Sequence, residues 1–134
     1  GFVIKGKDET ILYMTDTGYV SQKNMEYIKN LDYYIFESNH DIEMLMNTRR
    51  PLFLKNRIFG DKGHLNNEYS AHIMAQVIGE RTKEICLAHL SEEANTKETA
   101  LDTYQRVFDE EHIYFDNIKI ADQKEIVSGG HYEN

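Results

Sequence analysis

The sequence lacks several features that would place it in whole classes of protein. It has 134 residues and a single cysteine, Cys86, so no disulfide can form within it. It has no run of about 18 apolar residues that could span a membrane, and its first residues do not follow the basic-then-apolar pattern of a signal peptide. We therefore expect a reducing, cytoplasmic setting and no membrane partner, with Cys86 buried as a small apolar side chain.

An excess of positive charge is also absent. The chain carries 15 basic and 23 acidic side chains, which gives a formal net charge of -8. This balance argues against a sequence-independent grip on nucleic-acid phosphates over most of the surface. The one dense basic cluster comprises Arg49, Arg50, Lys55 and Arg57, and such a charge run favours a solvated helix face. Charge alone does not exclude DNA as a partner, because bound metal ions can supply the local positive charge that an acidic protein lacks.

Apolar periodicity predicts strands that alternate with helices along the chain. Strand-like runs cover 2–5, 10–15, 33–36 and 84–88, and a terminal hairpin is predicted from 114–121 and 125–127. Amphipathic helices are predicted to begin at the capping residues Ser21, Asn39, Asn66 or Asn67, and Asn95. Such alternation indicates one mixed sheet with at least one face covered by helices. We therefore expect an α/β or α+β fold in a single unit over residues 1–134.

Three polar residues occupy positions at which α/β proteins do chemistry. Asp16 directly follows one predicted strand, His89 directly follows another, and His64 lies at a glycine-preceded helix start. Because α/β sheets bind ligands beyond the carboxyl ends of their strands, we expect one carboxylate and two imidazoles to meet there. Both side-chain types are metal ligands. A histidine beside the N–H groups of a helix start can also hold a phosphoryl oxygen or donate a proton to a leaving group.

Each of these residues also has a plainer structural interpretation, which the sequence leaves open. Asp16 could bond only the backbone of its own turn, His89 could be a hydrogen-bonded core residue, and His64 could be a polar residue beside a helix cap. Asp16 and His89 would supply only two ligands, whereas a hydrolytic metal ion usually has three or more from the protein. His40 follows another strand and is predicted to line the same edge.

Four motifs occur in a fixed order along the chain. They are Thr15-Asp16-Thr17-Gly18-Tyr19-Val20-Ser21, Phe36-Glu37-Ser38-Asn39-His40-Asp41, Gly63-His64-Leu65-Asn66-Asn67-Glu68 and Leu87-Ala88-His89-Leu90-Ser91. In order and spacing they resemble the C-terminal half of the YycJ-type (WalJ) metallo-β-lactamase-fold exonucleases. The resemblance implies half of an αββα sandwich, in which two zinc or manganese ions lie between the edges of two sheets and a metal-bound hydroxide attacks a DNA phosphodiester.

The resemblance also implies roles for individual residues. Asp16 resembles the bridging metal carboxylate, His89 the last metal-ligand histidine, and His64 the catalytic histidine near the scissile phosphate. In the motif of His64, an asparagine at position 66 replaces the usual serine and keeps its capping role. The predicted substrate-binding residues are His40, Asn66 and Ser91.

The family's His-x-His-x-Asp-His metal motif is absent from the sequence. The six histidines include no His-x-His pair, and the chain starts abruptly in a strand-like run at Gly1. We therefore expect the missing ligands upstream, in the N-terminal half of a longer parent. We predict that this chain alone binds zinc or manganese weakly, has no appreciable nuclease activity and self-associates through the face that a second sheet would cover. Two alternatives remain open: a non-catalytic protein-interaction module, and a related hydrolase of RNA or small phosphodiesters.

Overall fold

The computed structural model of the protein describes residues 2–15, 20–47 and 64–121. These residues contain five strands, namely β1 (Phe2–Lys5), β2 (Thr10–Met14), β3 (Tyr33–Glu37), β4 (Glu84–Ala88) and β5 (Ile118–Ile120). They also contain four helices, namely α1 (Gln22–Tyr27), α2 (Ile42–Met46), α3 (Asn67–Val77) and α4 (Lys97–Glu110). Asp16, the basic cluster at 49–57 and the second arm of the predicted hairpin, 125–127, lie outside the described residues.

The five strands form one mixed sheet in the order β1-β2-β3-β4-β5. β1 runs antiparallel to β2, whereas β2, β3, β4 and β5 all run parallel to one another. The expected α+β class is therefore confirmed. The predicted strand over 114–121 is shorter than expected: it spans only Ile118–Ile120 and pairs in parallel with β4. Because the four parallel strands point the same way, their carboxyl ends meet along one edge of the sheet.

One face of the sheet carries the hydrophobic core. Alternate residues of a strand point to the same face, and Leu12, Tyr34 and Ile85 lie opposite one another across β2, β3 and β4. All three are at most 1% exposed and pack in one cluster with buried residues from three helices, among them Met25, Ile73 and Tyr104. Burial of each large apolar side chain stabilises the fold by roughly 1.5–3 kcal/mol. This packing holds α1, α3 and α4 against the sheet and fixes where the strands end.

The other face of the sheet lies outside this core cluster and carries apolar side chains beside one ion pair, between Lys119 Nζ and Glu84 Oε1 at 3.0 Å. Tyr13, Ile35, Cys86 and Lys119 form one row across it, and Ile4 occupies the neighbouring β1. Tyr13 and Ile4 are 39% and 48% exposed, respectively. Cys86 is buried, as predicted, and burial raises the pKa of its thiol to about 11.

Two of the predicted helix caps are confirmed. Ser21 Oγ accepts a hydrogen bond from Asn24 N at 3.1 Å, and Asn66 Oδ1 accepts one from Tyr69 N at 2.8 Å. These bonds satisfy N–H groups that have no partner inside a helix. Within the described ranges, none of the helices is both long and apolar enough to cross a bilayer.

The other two caps were predicted one or two residues too early. Asp41 Oδ2 accepts the capping bond of α2, and Thr96 Oγ1 accepts that of α4, at 3.0 Å each. The predicted caps, Asn39 and Asn95, are at most 8% exposed. Their amides make tertiary contacts at the carboxyl edge of the sheet, and these contacts compete with capping.

Candidate metal centre

A buried carboxylate at the end of β3 lies between two imidazoles. Glu37 has no exposed surface. Its Oε2 accepts a hydrogen bond from His64 Nδ1 at 2.8 Å, and its Oε1 accepts one from His89 Nδ1 at 3.2 Å. The two rings meet edge to face, with centroids 5.0 Å apart. The structure therefore brings two of the predicted site residues, His64 and His89, to one carboxylate.

The sheet positions this Glu37–His64–His89 cluster. Glu37 and Ala88 are register partners at the ends of two parallel strands, so His89, the next residue after Ala88, lies beside Glu37. The helix start that carries His64 is held at the same edge, because Leu65 N donates to Glu37 Oε2 at 3.2 Å. A buried carboxylate is costly unless it is hydrogen-bonded. Two ring N–H groups and one backbone N–H meet that requirement.

The cluster has the geometry and chemistry of a metal site. One ligand atom from each of its residues can be chosen so that all three lie within 4.8 Å of one another, and no other such group occurs in the residues that the structure describes. Imidazole nitrogen and carboxylate oxygen suit zinc, and they are also found around manganese. The imidazoles are 29% and 42% exposed, whereas the carboxylate is fully buried. An ion could therefore reach the rings from solvent while Glu37 holds them from inside.

The hydrogen bonds also select one tautomer of each ring. A carboxylate only accepts, so Nδ1 of both His64 and His89 carries the proton that is donated to Glu37. In a neutral ring this arrangement leaves the lone pair on Nε2, the nitrogen with which the ring can coordinate a metal. Carboxylates commonly orient metal-ligating histidines in this way. Glu37 can thus act either as a ligand or as the group that orients two imidazoles.

His89 has an unusual backbone conformation. Its φ of 60° lies in the left-handed region, as do only Asn30 and His112 among the other non-glycine residues that the structure describes. This conformation costs roughly 1–2 kcal/mol for a side chain with a Cβ atom. Asn39 Nδ2 donates a hydrogen bond to the His89 carbonyl at 2.8 Å. The strained turn therefore occurs at the residue whose ring meets Glu37, and a buried amide supports it.

A network of buried amides and hydroxyls supports the same edge of the sheet. Asn67 Nδ2 donates to Asn95 Oδ1 at 2.9 Å, and Asn95 Nδ2 donates to the Ser38 carbonyl at 3.0 Å. Ser38 Oγ closes the ring by donating to Asn67 Oδ1 at 2.6 Å. The carbonyl of Glu37 itself accepts from Ser70 Oγ at 2.6 Å. Such fully bonded buried networks rigidify the backbone that they connect.

The three predicted substrate-binding residues all lie near this edge and make structural contacts. His40 is 1% exposed, with its Nδ1 3.2 Å from Asn39 Oδ1. Asn66 caps α3, and Ser91 Oγ accepts from Ala94 N at 3.1 Å. Their contact with a substrate stays a prediction.

Asp16 is outside the described residues, so its part in a metal site also stays a prediction. The neighbouring register is informative: Met14, the last residue of β2, lies opposite Phe36 of β3. The chain therefore leaves β2 at the edge where Glu37 lies.

Glu37 is the functional candidate that sequence reasoning missed. It appears in one of the four motifs, but no role was predicted for it. The available signal was an acidic residue directly after the apolar run Tyr33-Tyr34-Ile35-Phe36. A carboxylate at the carboxyl end of a buried strand rarely serves packing alone, because its burial must be offset by specific partners.

Fold and site together define an α+β unit with a histidine–carboxylate cluster at the carboxyl edge of a mixed sheet. No family model matches the chain. It is 46% identical over 93 residues to exodeoxyribonuclease WalJ from two Streptococcus pneumoniae strains, which covers 69% of this chain and 35% of that protein. It is 43% identical over 109 residues to exodeoxyribonuclease YycJ from Bacillus anthracis, which covers 81% of this chain and 41% of that protein. The resemblance to YycJ/WalJ-type proteins is thereby confirmed, and the chain spans 35–41% of the length of these curated relatives.

Proposed function

We propose that this chain forms part of a metal-dependent exodeoxyribonuclease that hydrolyses phosphodiester bonds of DNA. The Glu37–His64–His89 cluster is the observation that carries the proposal, because it unites metal-ligand side chains at a sheet edge. The relatives are named exodeoxyribonuclease WalJ and exodeoxyribonuclease YycJ, and these names support the same reaction class. The proposal includes a cytoplasmic setting and two ions, zinc or manganese. Divalent ions at such a site supply a nucleophile from water at neutral pH and neutralise charge on the phosphate.

His89 and Asp16 are the proposed metal ligands of this chain. The Nδ1–H of His89 is held by Glu37, which directs Nε2 toward coordination. Asp16, which follows β2 in the sequence, would add a carboxylate ligand. The remaining ligands would come from outside these residues, and the chain alone would bind the ions weakly.

His64 is the proposed proton donor to the departing oxygen. In this role the ring would carry both protons, with Nδ1–H bonded to Glu37 and the Nε2 proton given to the oxygen. Its Nδ1 is 2.8 Å from the buried Glu37 carboxylate, so the ring is held in a fixed orientation. Its ring is 29% exposed and lies 5.0 Å from the ring of His89. A proton donor fixed beside a metal ligand would meet a phosphate that the ions hold. Asn66 and Ser91 would line the path of the substrate at the same edge, and His40, which is 1% exposed, would support that path from beneath.

The acidic surface constrains how DNA would bind. With a formal net charge of -8, the chain would depend on the ions and on the basic cluster at 49–57 for phosphate attraction. RNA and small phosphodiesters are the competing substrates, since the same ligands can serve all three.

The second face of the sheet belongs to the same proposal. Exposed Ile4 and Tyr13, together with Ile35, would pack against another sheet of an αββα sandwich. When that sheet is absent, we expect these exposed apolar side chains to drive self-association. We also expect the chain alone to lack appreciable nuclease activity.

Metal titration of the chain is the first test. We expect calorimetry with zinc and manganese to show weak binding that His89→Ala reduces at least as much as loss of an orienting partner does, which is roughly 10- to 100-fold. His72→Ala is the matched control, because His72 lies on α3 and its Nδ1 is 3.7 Å from Glu111, away from the cluster. Equal effects of the two substitutions would contradict the assignment of His89 as a ligand.

Activity is tested in a longer protein. A chimera in which this chain replaces the matched region of the Bacillus anthracis protein should degrade end-labelled DNA when zinc or manganese is present. His89→Ala should abolish this degradation, and His72→Ala should leave it unchanged. A folded, metal-binding chimera that cleaves only RNA or small phosphodiesters would replace the DNA proposal. One that binds no metal would favour an interaction module.

A further inference from the structure

Asn39 connects the two segments that carry the imidazoles. Its backbone N–H donates to the carbonyl of Leu65, the residue after His64, at 2.9 Å. Its backbone carbonyl accepts from Ser91 N at 2.7 Å, and its side-chain Nδ2 donates to the His89 carbonyl at 2.8 Å. One residue thus bonds the main chain on both sides of the Glu37–His64–His89 cluster without touching either imidazole in these contacts.

The orientation of the Asn39 amide is fixed by a second contact. Its Oδ1 lies 3.2 Å from His40 Nδ1, which directs Nδ2 toward the His89 carbonyl. Asn39 is 8% exposed, so little water competes for these bonds. The position requires a donor and an acceptor on one short planar group, which asparagine supplies and aspartate does not.

The bonded carbonyl belongs to a residue in the left-handed conformation. At φ 60°, His89 needs outside support, because a side chain with a Cβ atom prefers negative φ. A hydrogen bond to its carbonyl fixes the peptide plane that follows it. Together with the Ser91 N bond, this contact limits how far the turn can relax, and the direction of the His89 side chain follows from the backbone.

We propose that Asn39 is a positioning residue that holds the left-handed turn at His89 and thereby directs the His89 imidazole to Glu37 and to a metal ion. The proposal rests on the metal role given to His89 above, and it adds the residue that sets the geometry of that ligand. Loss of the Nδ2 donor would let the turn relax toward negative φ and would separate the ring from Glu37.

The experiment measures the geometry of residue 89 directly. In isotope-labelled, metal-free chain at one fixed pH, a left-handed residue gives a strong intraresidue HN–Hα Overhauser effect, and the Nδ1–H of His89 gives a ring resonance. We expect Asn39→Asp and Asn39→Ser to weaken the first signal and to shift or broaden the second, while the His64 ring resonance is retained. Zinc affinity, measured in parallel, should fall by roughly 10- to 100-fold.

Asn117→Asp is the control for loss of an amide donor to a main-chain carbonyl. Asn117 Nδ2 donates to the Lys83 carbonyl at 2.7 Å, at the opposite end of β4 from His89, so the same change removes the same kind of bond away from the cluster. It should leave both signals of residue 89 and the zinc affinity unchanged. Unchanged residue 89 signals in the folded Asn39 variants, or equal changes in the control, would overturn the proposal.

Two further outcomes separate this proposal from the proposed function. Wild-type chain that binds no zinc, with residue 89 still perturbed in the Asn39 variants, would support positioning while the metal function fails. Wild-type chain that binds zinc, with no change in the variants, would overturn positioning while the function stands. Should neither Asn39 variant fold, slow solvent exchange of the Asn39 Nδ2 protons in the wild-type chain would support the proposal, and fast exchange would overturn it.

Discussion

The two ends of β3 each hold a buried carboxylate, and the partners of the two differ. At the amino end, Asp32 is 3% exposed, and its Oδ2 accepts from Thr10 N at 2.8 Å and from the Arg81 guanidinium at 3.2 Å. At the carboxyl end, Glu37 is fully buried and accepts from two imidazoles. A guanidinium is always charged and does not coordinate a metal. An imidazole can be neutral or charged, and the neutral ring can coordinate a metal.

This difference separates a structural carboxylate from a functional candidate. The backbone carbonyl of Asp32 also accepts from Lys83 N at 2.7 Å, so Asp32 ties the start of β3 to the start of β2 and to the segment before β4. Burial alone would rank the two residues equally. The chemical type of the partners, together with the edge at which ligands of parallel sheets bind, distinguishes them.

Among changes outside the proposed metal ligands, the largest expected effect is at His64. In the chimera with the Bacillus anthracis protein, His64→Ala should slow DNA degradation by roughly 10²- to 10⁴-fold, because a positioned proton donor contributes on that scale. Metal affinity should change much less, since His64 is assigned to proton transfer. Turnover and metal titration on the same preparation check both statements. A parallel loss of affinity and rate would show that His64 acts as a ligand instead.

A paired substitution at the two ends of β3 tests the comparison itself. Glu37→Gln should weaken zinc binding by roughly 10- to 100-fold, because the amide cannot orient two Nδ1–H groups as the carboxylate does. Asp32→Asn, a matched change in a residue of similar burial, should lower stability but leave zinc affinity unchanged. Calorimetric titration and urea unfolding of both variants give the answer. Weakened zinc binding in a folded Asp32→Asn variant would remove the distinction.

How far the sequence predicts this site can be seen at Asn66, Asn39 and Glu37. The cap at Asn66 is local, since the bond reaches only three residues along the chain, and Asn66 was one of the two residues predicted for it. Asn39 is also an asparagine just before a helix, yet its side-chain amide donates a hydrogen bond to the carbonyl of His89, which lies 50 residues further along the chain. Capping rules describe neighbours in sequence, so they could not exclude this tertiary alternative.

The role of Glu37 depends on contacts between distant segments. Its partners His64 and His89 lie 27 and 52 residues along the chain. The sequence placed both histidines at the correct edge, because apolar runs indicate the strand end before His89 and a glycine and the caps that follow indicate the helix start at His64. It did not reveal which carboxylate lies between them. The parallel pairing of β5 with β4 was missed for the same reason, because register between distant segments leaves no local pattern.

A smaller effect is expected at the structural end of β3. Arg81→Ala should lower the free energy of unfolding by about 1 kcal/mol, since the guanidinium is 58% exposed and solvent screens the pair. The loss should shrink at high salt, which screens the pair in the wild-type protein. Urea unfolding at low and high salt measures this difference, and Lys29→Ala, in an exposed pair with Glu26, is the control. A change in zinc affinity in Arg81→Ala would contradict its purely structural role.

The smallest expected effect is a pH dependence of stability at Cys86, in the strand that pairs with β3. Cys86 is the register partner of Ile35, and burial raises the pKa of its thiol from about 9 to about 11, with the nearby Glu84 carboxylate acting in the same direction. Below the pKa of the unfolded thiol, both the folded and the unfolded state keep the proton, so ionisation of the thiol takes nothing from the free energy of unfolding. As the pH rises from about 9 to about 11, the unfolded chain releases the proton first and stability falls. Urea unfolding across this range should therefore show a steeper decline for the wild-type chain than for Cys86→Ala, and equal slopes would show that the thiol titrates alike in both states.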